Sequence, residues 1–155
     1  MTSAPIARPS VVSLRRRIRV TGLVAAAHWL LYVLEKLYLA ATGTIGMVGS
    51  PAGPEAYQSI ADPAAAQLGN AAAGLIPGLV LLVALGRVGR RVPRPVLLGA
   101  LALVAAATLG LVVLLISHGN WPHAAVSTIG LGAAVAFLAT VARRPAGAAQ
   151  AEPVG

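Results

Sequence analysis

Four apolar stretches, at 20–42, 63–86, 96–117 and 121–142, fill most of this chain. Each is long enough to cross a bilayer as a helix, for which about 20 residues suffice. The last three contain no charged residue; the first contains Glu35 and Lys36, side by side. Of the 155 residues, 10% are charged and 57% hydrophobic, where a soluble domain would be about a quarter charged. So few charges cannot cover a surface facing water. The expected fold is all-α, an antiparallel bundle of four transmembrane helices. One domain spans 19–142, between a disordered basic segment 1–18 and a flexible tail 143–155.

The formal net charge of +8 raises the question of nucleic acid, and the positions argue against it. Apart from Arg8, the arginines cluster at span ends. Arg15, Arg16, Arg17 and Arg19 precede the first span; Arg87, Arg90, Arg91 and Arg94 lie between the second and third; Arg143 and Arg144 follow the fourth. Basic residues beside spans set orientation and attract anionic headgroups. The interleaved aromatics of a base-stacking surface are missing. The 43–62 and 117–120 loops carry no basic residue. Both termini are therefore expected in the cytoplasm. The Ala, Gly, Val, Leu, Pro and Arg bias suggests a GC-rich bacterial genome, hence a multi-pass protein of the bacterial inner membrane. A cleaved signal peptide does not fit, because His28, Glu35 and Lys36 interrupt the first apolar run. Cysteine is absent, which excludes disulfides and thiolate chemistry.

Turn chemistry marks the ends of the spans. Asp62–Pro63 is a helix start, with Asp as cap and Pro at the first helical position. Gly119 suits a C-terminal cap and Asn120 an N-terminal cap, which makes the third and fourth spans a tight hairpin. Gly74 and Gly78 form a pair that permits close helix packing. Pro77, between them, is a kink candidate.

On a helix turning about 100° per residue, His28, Tyr32 and Glu35 fall within about 60° of one another, and Lys36 borders them. A charged side chain at the bilayer centre costs about 2.5–3.5 kcal/mol, so such a stripe faces the bundle interior or water. By helical rise Glu35 lies in the outer half of the membrane, from where Lys36 could snorkel to the outer headgroups. Gln67 and Asn70 open the second span; His118, Asn120 and His123 crowd the turn before the fourth. These groups are expected to converge with the stripe on one outward-facing polar pocket, with Asn70 and His123 as partners for Glu35. The bland reading of the same stripe is interhelical hydrogen-bond glue, and of Trp121 an interfacial anchor. His118 and His123 are expected as interface residues; no metal site and no cofactor are expected.

Catalytic signatures are missing: no H-E-x-x-H, no G-x-S-x-G, no phosphate loop, and no second carboxylate within the spans. The stretch from His28 through Tyr32, Glu35–Lys36, Gly43, Gly46 and Pro54 to Gln67, Gly69 and Asn70 resembles small four-helix bacterial integral membrane proteins of unknown function. The resemblance implies architecture and no activity. The first reading is thus a non-enzymatic membrane protein whose polar pocket binds a small ligand, a lipid headgroup or a proton. The alternative is an accessory subunit whose stripe docks another membrane protein, with a homo-oligomer as a further partner. A membrane enzyme using His28 or Glu35 as base is the least favoured.

Overall fold

The computed structural model describes residues 11–143, and within them the chain is a bundle of four long helices. Helix α1 is Val11–Ala41; a two-stranded hairpin follows, β1 (Gly46–Met47) and β2 (Ser50–Pro51); then come a short helix α2 (Pro54–Ser59) and the long helices α3 (Pro63–Leu85), α4 (Arg94–Ser117) and α5 (Trp121–Ala142). A single 3₁₀ turn, Val88–Arg90, joins α3 to α4. All four long helices are long and apolar enough to cross a membrane. The chain is, at that level, a multi-pass helical membrane protein.

The expected disordered segment 1–18 needs correction where the structure describes it. Arg15–Arg19 are helical, because α1 already begins at Val11. Nothing between Pro9 and Gly43 breaks a helix apart from Gly22, which α1 carries through. With 31 residues α1 extends about 46 Å, well beyond a hydrocarbon core of about 30 Å. Its first turns carry Arg15, Arg16, Arg17 and Arg19, ahead of the apolar stretch 20–42. The remaining expectations for the two chain ends, 1–10 and 144–155, lie outside the described residues.

At the opposite end of the bundle, α1 and α4 stop in the same way. Gly43 and Gly119 adopt left-handed φ of 63° and 69°. In each case the amide of the glycine and that of the next residue fold back onto the last turn: Gly43 N–H to Ala40 O and Thr44 N–H to Leu39 O, Gly119 N–H to Ile116 O and Asn120 N–H to Leu115 O. This is the Schellman arrangement, which satisfies carbonyls that a helix end leaves unpaired. Asp62 caps α3 as expected, its Oδ1 accepting from Ala65 N–H at 3.0 Å. Asn120 precedes α5 without capping it through its side chain, which is used elsewhere.

α1 is the hub. Its large side chains settle on glycines of its neighbours: Tyr32 on Gly74 and Trp29 on Gly78, both of α3, and His28 on Gly130 of α5. Conversely, Gly22 of α1 receives Leu85 and Phe137. Small residues let helix backbones approach in lipid, where apolar burial alone gives no drive to associate. Trp29 also spans the bundle centre, its Nε1–H donating to Thr108 Oγ1 of α4 at 3.2 Å. The Thr108 hydroxyl donates in turn to Val104 O at 2.8 Å. α3 and α4, by contrast, touch only sparingly.

Candidate functional site

The polar cluster sits at the hairpin end of the bundle, and the hairpin closes it. β1 and β2 pair antiparallel, Met47 opposite Ser50, around the turn Val48–Gly49, where Gly49 takes φ +74°. Gly46 has φ +110°, and a side chain there would press on Ser50 O and Ala52 N. Both glycines are therefore required by the backbone path.

Two helices hold this hairpin by its main chain. Lys36 Nζ donates to Gly46 O at 2.6 Å and lies 3.0 Å from Met47 Sδ and 5.3 Å from the centroid of the Tyr32 ring. Gln67 Nε2 donates to Thr44 O at 3.1 Å and to Gly46 O at 3.4 Å. Glu35 Oε1 accepts from Val48 N–H at 2.7 Å. Tyr57 of α2 completes the hold, its phenol oxygen accepting from Ile45 N–H at 3.0 Å. Lys36 is only 4% exposed and Gln67 1%. The expected snorkelling of Lys36 is thus corrected: the ammonium turns inward, because the hairpin carbonyl, the thioether and the tyrosine face together replace its water.

Glu35 also meets the expected histidine. His123 Nε2 lies 3.1 Å from Glu35 Oε1, and His123 Nδ1 lies 2.8 Å from Asn120 Oδ1. Asn120, His123, Glu35 and Val48 therefore form one continuous chain of hydrogen bonds from α5 through α1 to the hairpin. Asn70 does not reach Glu35. Its side-chain amide donates to Gln67 Oε1 at 3.3 Å and so orients the residue that holds the hairpin.

Two residues expected in the pocket lie outside this network. His118 is exposed, its Nδ1 2.8 Å from Leu114 O and 3.2 Å from Ser117 Oγ. The α4 cap turns the ring back onto its own helix end. His28 lies two turns deeper on α1, about 10 Å from Glu35 along the axis. It is 8% exposed and its Nε2 has no hydrogen-bond partner. It does face inward, as the helical period predicts, but α5 presents Gly130 at that level, which offers shape and no polar side chain.

Sequence reasoning missed the partners supplied by the 43–62 loop: the carbonyls of Thr44 and Gly46, the amide of Val48, the sulfur of Met47 and the phenol of Tyr57. The available signal was the glycine pair Gly46 and Gly49, which allows a tight two-residue turn. Among the described residues no three His, Cys, Asp or Glu side chains gather to hold a metal ion. Chemically, the cluster presents donors from Lys36 and Gln67 beside an acceptor from Glu35. It binds two carbonyls, of Thr44 and Gly46, and one amide, of Val48, from the same peptide segment. Comparison with protein-family models, with curated proteins and with solved structures finds no match to this chain. The resemblance to small four-helix bacterial membrane proteins therefore rests on its quoted residues alone.

Proposed function

We propose that this chain is a non-enzymatic integral membrane protein whose polar cluster binds a small polar ligand or a lipid headgroup, with the hairpin as a lid that occupies the site in its absence. The observation that carries the reading is the pairing of Lys36 and Gln67 with Gly46 O while Glu35 takes Val48 N–H. A group with an acceptor and a donor at peptide-like spacing, such as a small zwitterion or the phosphoethanolamine headgroup, satisfies the same side chains. A proton is a ligand of another kind: it would sit at the His123 Nε2–Glu35 Oε1 contact and leave the hairpin in place.

The arginine distribution supports an orientation with the hairpin outside and both chain ends in the cytoplasm, as in a bacterial inner-membrane protein with an outward-facing site. The alternative, an accessory subunit docking through its stripe, is less favoured because those side chains turn inward and are engaged by the chain's own loop.

The absence of cysteine makes the test direct. Val48→Cys, Val88→Cys and a cysteine appended at the C-terminus are labelled in intact cells with a membrane-impermeant maleimide. Labelling of the Val48→Cys variant alone is expected; labelling at position 88 overturns the orientation. In purified protein, glycine, glycinamide and phosphoethanolamine are then offered as probes. At least one is expected to speed labelling at position 48, and Glu35→Gln or Lys36→Met to abolish that response. If none changes the labelling or the thermal unfolding, the cluster is a structural clamp and the ligand reading fails.

A further inference from the structure

The sparse contact between α3 and α4 leaves an apolar groove. It consists of a cavity of about 500 Å³ and a second of about 320 Å³, which share Ile76, Val80 and Ala100 as walls. Trp29 and Tyr32 form the inner face of the first. The groove follows α4 from Leu111 to Val96, about 22 Å of helix, and continues to Val92 in the connecting loop. One leaflet of a hydrocarbon core is about 15 Å deep, half of about 30 Å, so the groove is long enough to hold an acyl chain over the whole depth of a leaflet.

Its lower end opens where the arginines are. Val83, on its wall, is followed one turn later by Arg87, and Val92 directly follows Arg91. Arg87 and Arg91 are exposed. The loop that carries them is held firmly. Gly86 N–H donates to both Leu82 O and Val83 O at 3.1 Å, and Arg91 N–H to Val88 O at 2.9 Å. Gly89 is packed so closely on α3 that a Cβ there would lie 2.5 Å from Val83 O. Arg94 has a separate task, its Nη2 donating to Ala142 O at the end of α5 at 2.6 Å.

From this continuity we infer that the α3–α4 groove is a binding site for one anionic phospholipid, with an acyl chain along Ile76, Val80 and Ala100 and the phosphate at Arg87 and Arg91. Charge decides between this occupant and a second copy of the chain. A copy inserted in the same orientation brings its own arginine loop to the same depth, so cations would face cations. An anionic headgroup neutralises them, and the chain below it fills the groove. The headgroup end of the site lies at the opposite end of the bundle from the polar cluster, and the site does not depend on the ligand proposed there.

The test is native mass spectrometry of the full chain released from mild detergent, titrated with phosphatidylglycerol, with phosphatidylcholine of the same acyl chains, and with glycerol phosphate. Phosphatidylglycerol is expected to be retained as a single adduct more strongly than phosphatidylcholine, and glycerol phosphate not at all. Each surface arginine contributes about fivefold to such affinity. Arg87→Gln with Arg91→Gln should therefore weaken phosphatidylglycerol binding about 25-fold and leave phosphatidylcholine unchanged. Ala100→Phe, which fills the groove, should weaken both; Ala107→Leu makes the same test if Ala100→Phe does not fold. Arg143→Gln should change nothing. Equal retention of the two lipids, or phosphatidylglycerol binding that survives the loss of both arginines, overturns the site. So does a disulfide-linked dimer formed through Leu103→Cys in membranes, because a second copy then fills the groove.

Discussion

α3 has two seams, and they are built on different principles. Toward α1 it offers Gly74 and Gly78, on which Tyr32 and Trp29 rest. At the hairpin end Gln67 finishes that contact by taking the carbonyls of the loop leaving α1. Toward α4 it offers Ile76, Val80 and Val83, and a groove stays open. Both seams are apolar over most of their length, so hydrophobicity does not distinguish them. In lipid, apolar surface gains nothing by leaving apolar solvent. Helices close where a missing side chain admits a neighbour or where polar groups bond across the gap. The α1 seams use both devices; among the described residues the α3–α4 seam has small residues left uncovered by any facing side chain and no side-chain hydrogen bond across it.

The sharpest way to break this comparison is to add side chains at the glycines of the closed seams. A Cβ at Gly130 would lie 2.5 Å from His28 Cγ, and one at Gly74 would lie 2.6 Å from Tyr32 Cδ1. Gly130→Leu and Gly74→Leu should prevent the native bundle from forming, seen as loss of the cooperative thermal transition in detergent. Gly130→Ala should fold with a loss of about 1–3 kcal/mol, the usual range for overpacking. Combining Gly130→Ala with His28→Ala should recover part of that loss, because the clashing ring is gone. Additive losses in the pair would mean that Gly130 is needed for some reason other than His28.

The polar end of the closed seam comes next in size. Lys36→Met removes a charged donor from Gly46 O, and hydrogen bonds to charged groups are worth about 1.5–3 kcal/mol. The loss should appear in thermal unfolding and also as faster maleimide labelling of Val48→Cys, since the hairpin is what Lys36 holds. Glu35 acts through His123 and Val48. Glu35→Gln should therefore cost less in a His123→Ala background than in the native chain, by about 0.5–3 kcal/mol, the coupling expected of residues in one hydrogen-bond network. Equal costs in the two backgrounds would show that the 3.1 Å contact carries no energy.

The two seams also differ in how far they could be read from the chain. The spans were legible because length and the lack of charge are properties of a segment alone. The inward face of α1 was legible for a similar reason: His28, Tyr32 and Glu35 share it by periodicity, and each of them packs on or bonds to a neighbouring helix. The role of Lys36 was not. Its direction depended on the carbonyl of Gly46, which reaches it only because the loop folds back as a hairpin. His118 failed for the converse reason. Its place beside Asn120 and His123 in the chain suggested a common site, but the left-handed turn at Gly119 separates the two helix ends. The α3–α4 groove was illegible altogether, since an unmade contact leaves no mark on hydropathy.

The smallest effect is the most discriminating. Gly110 lies in the middle of α4, and a Cβ there would meet nothing within 4 Å. Glycine within a helix is less favourable than alanine by about 0.5–1 kcal/mol. Gly110→Ala should therefore leave thermal stability unchanged or raise it by up to about 1 kcal/mol, the opposite sign to Gly130→Ala. The same substitution would then report closed packing at one glycine and a lipid-facing surface at the other. A loss at Gly110 as large as at Gly130 would mean that another protein surface covers this part of α4 in the assembled membrane protein. The contrast between closed and open glycines would then describe one chain of a larger bundle, and the face would have to be counted among the packed ones.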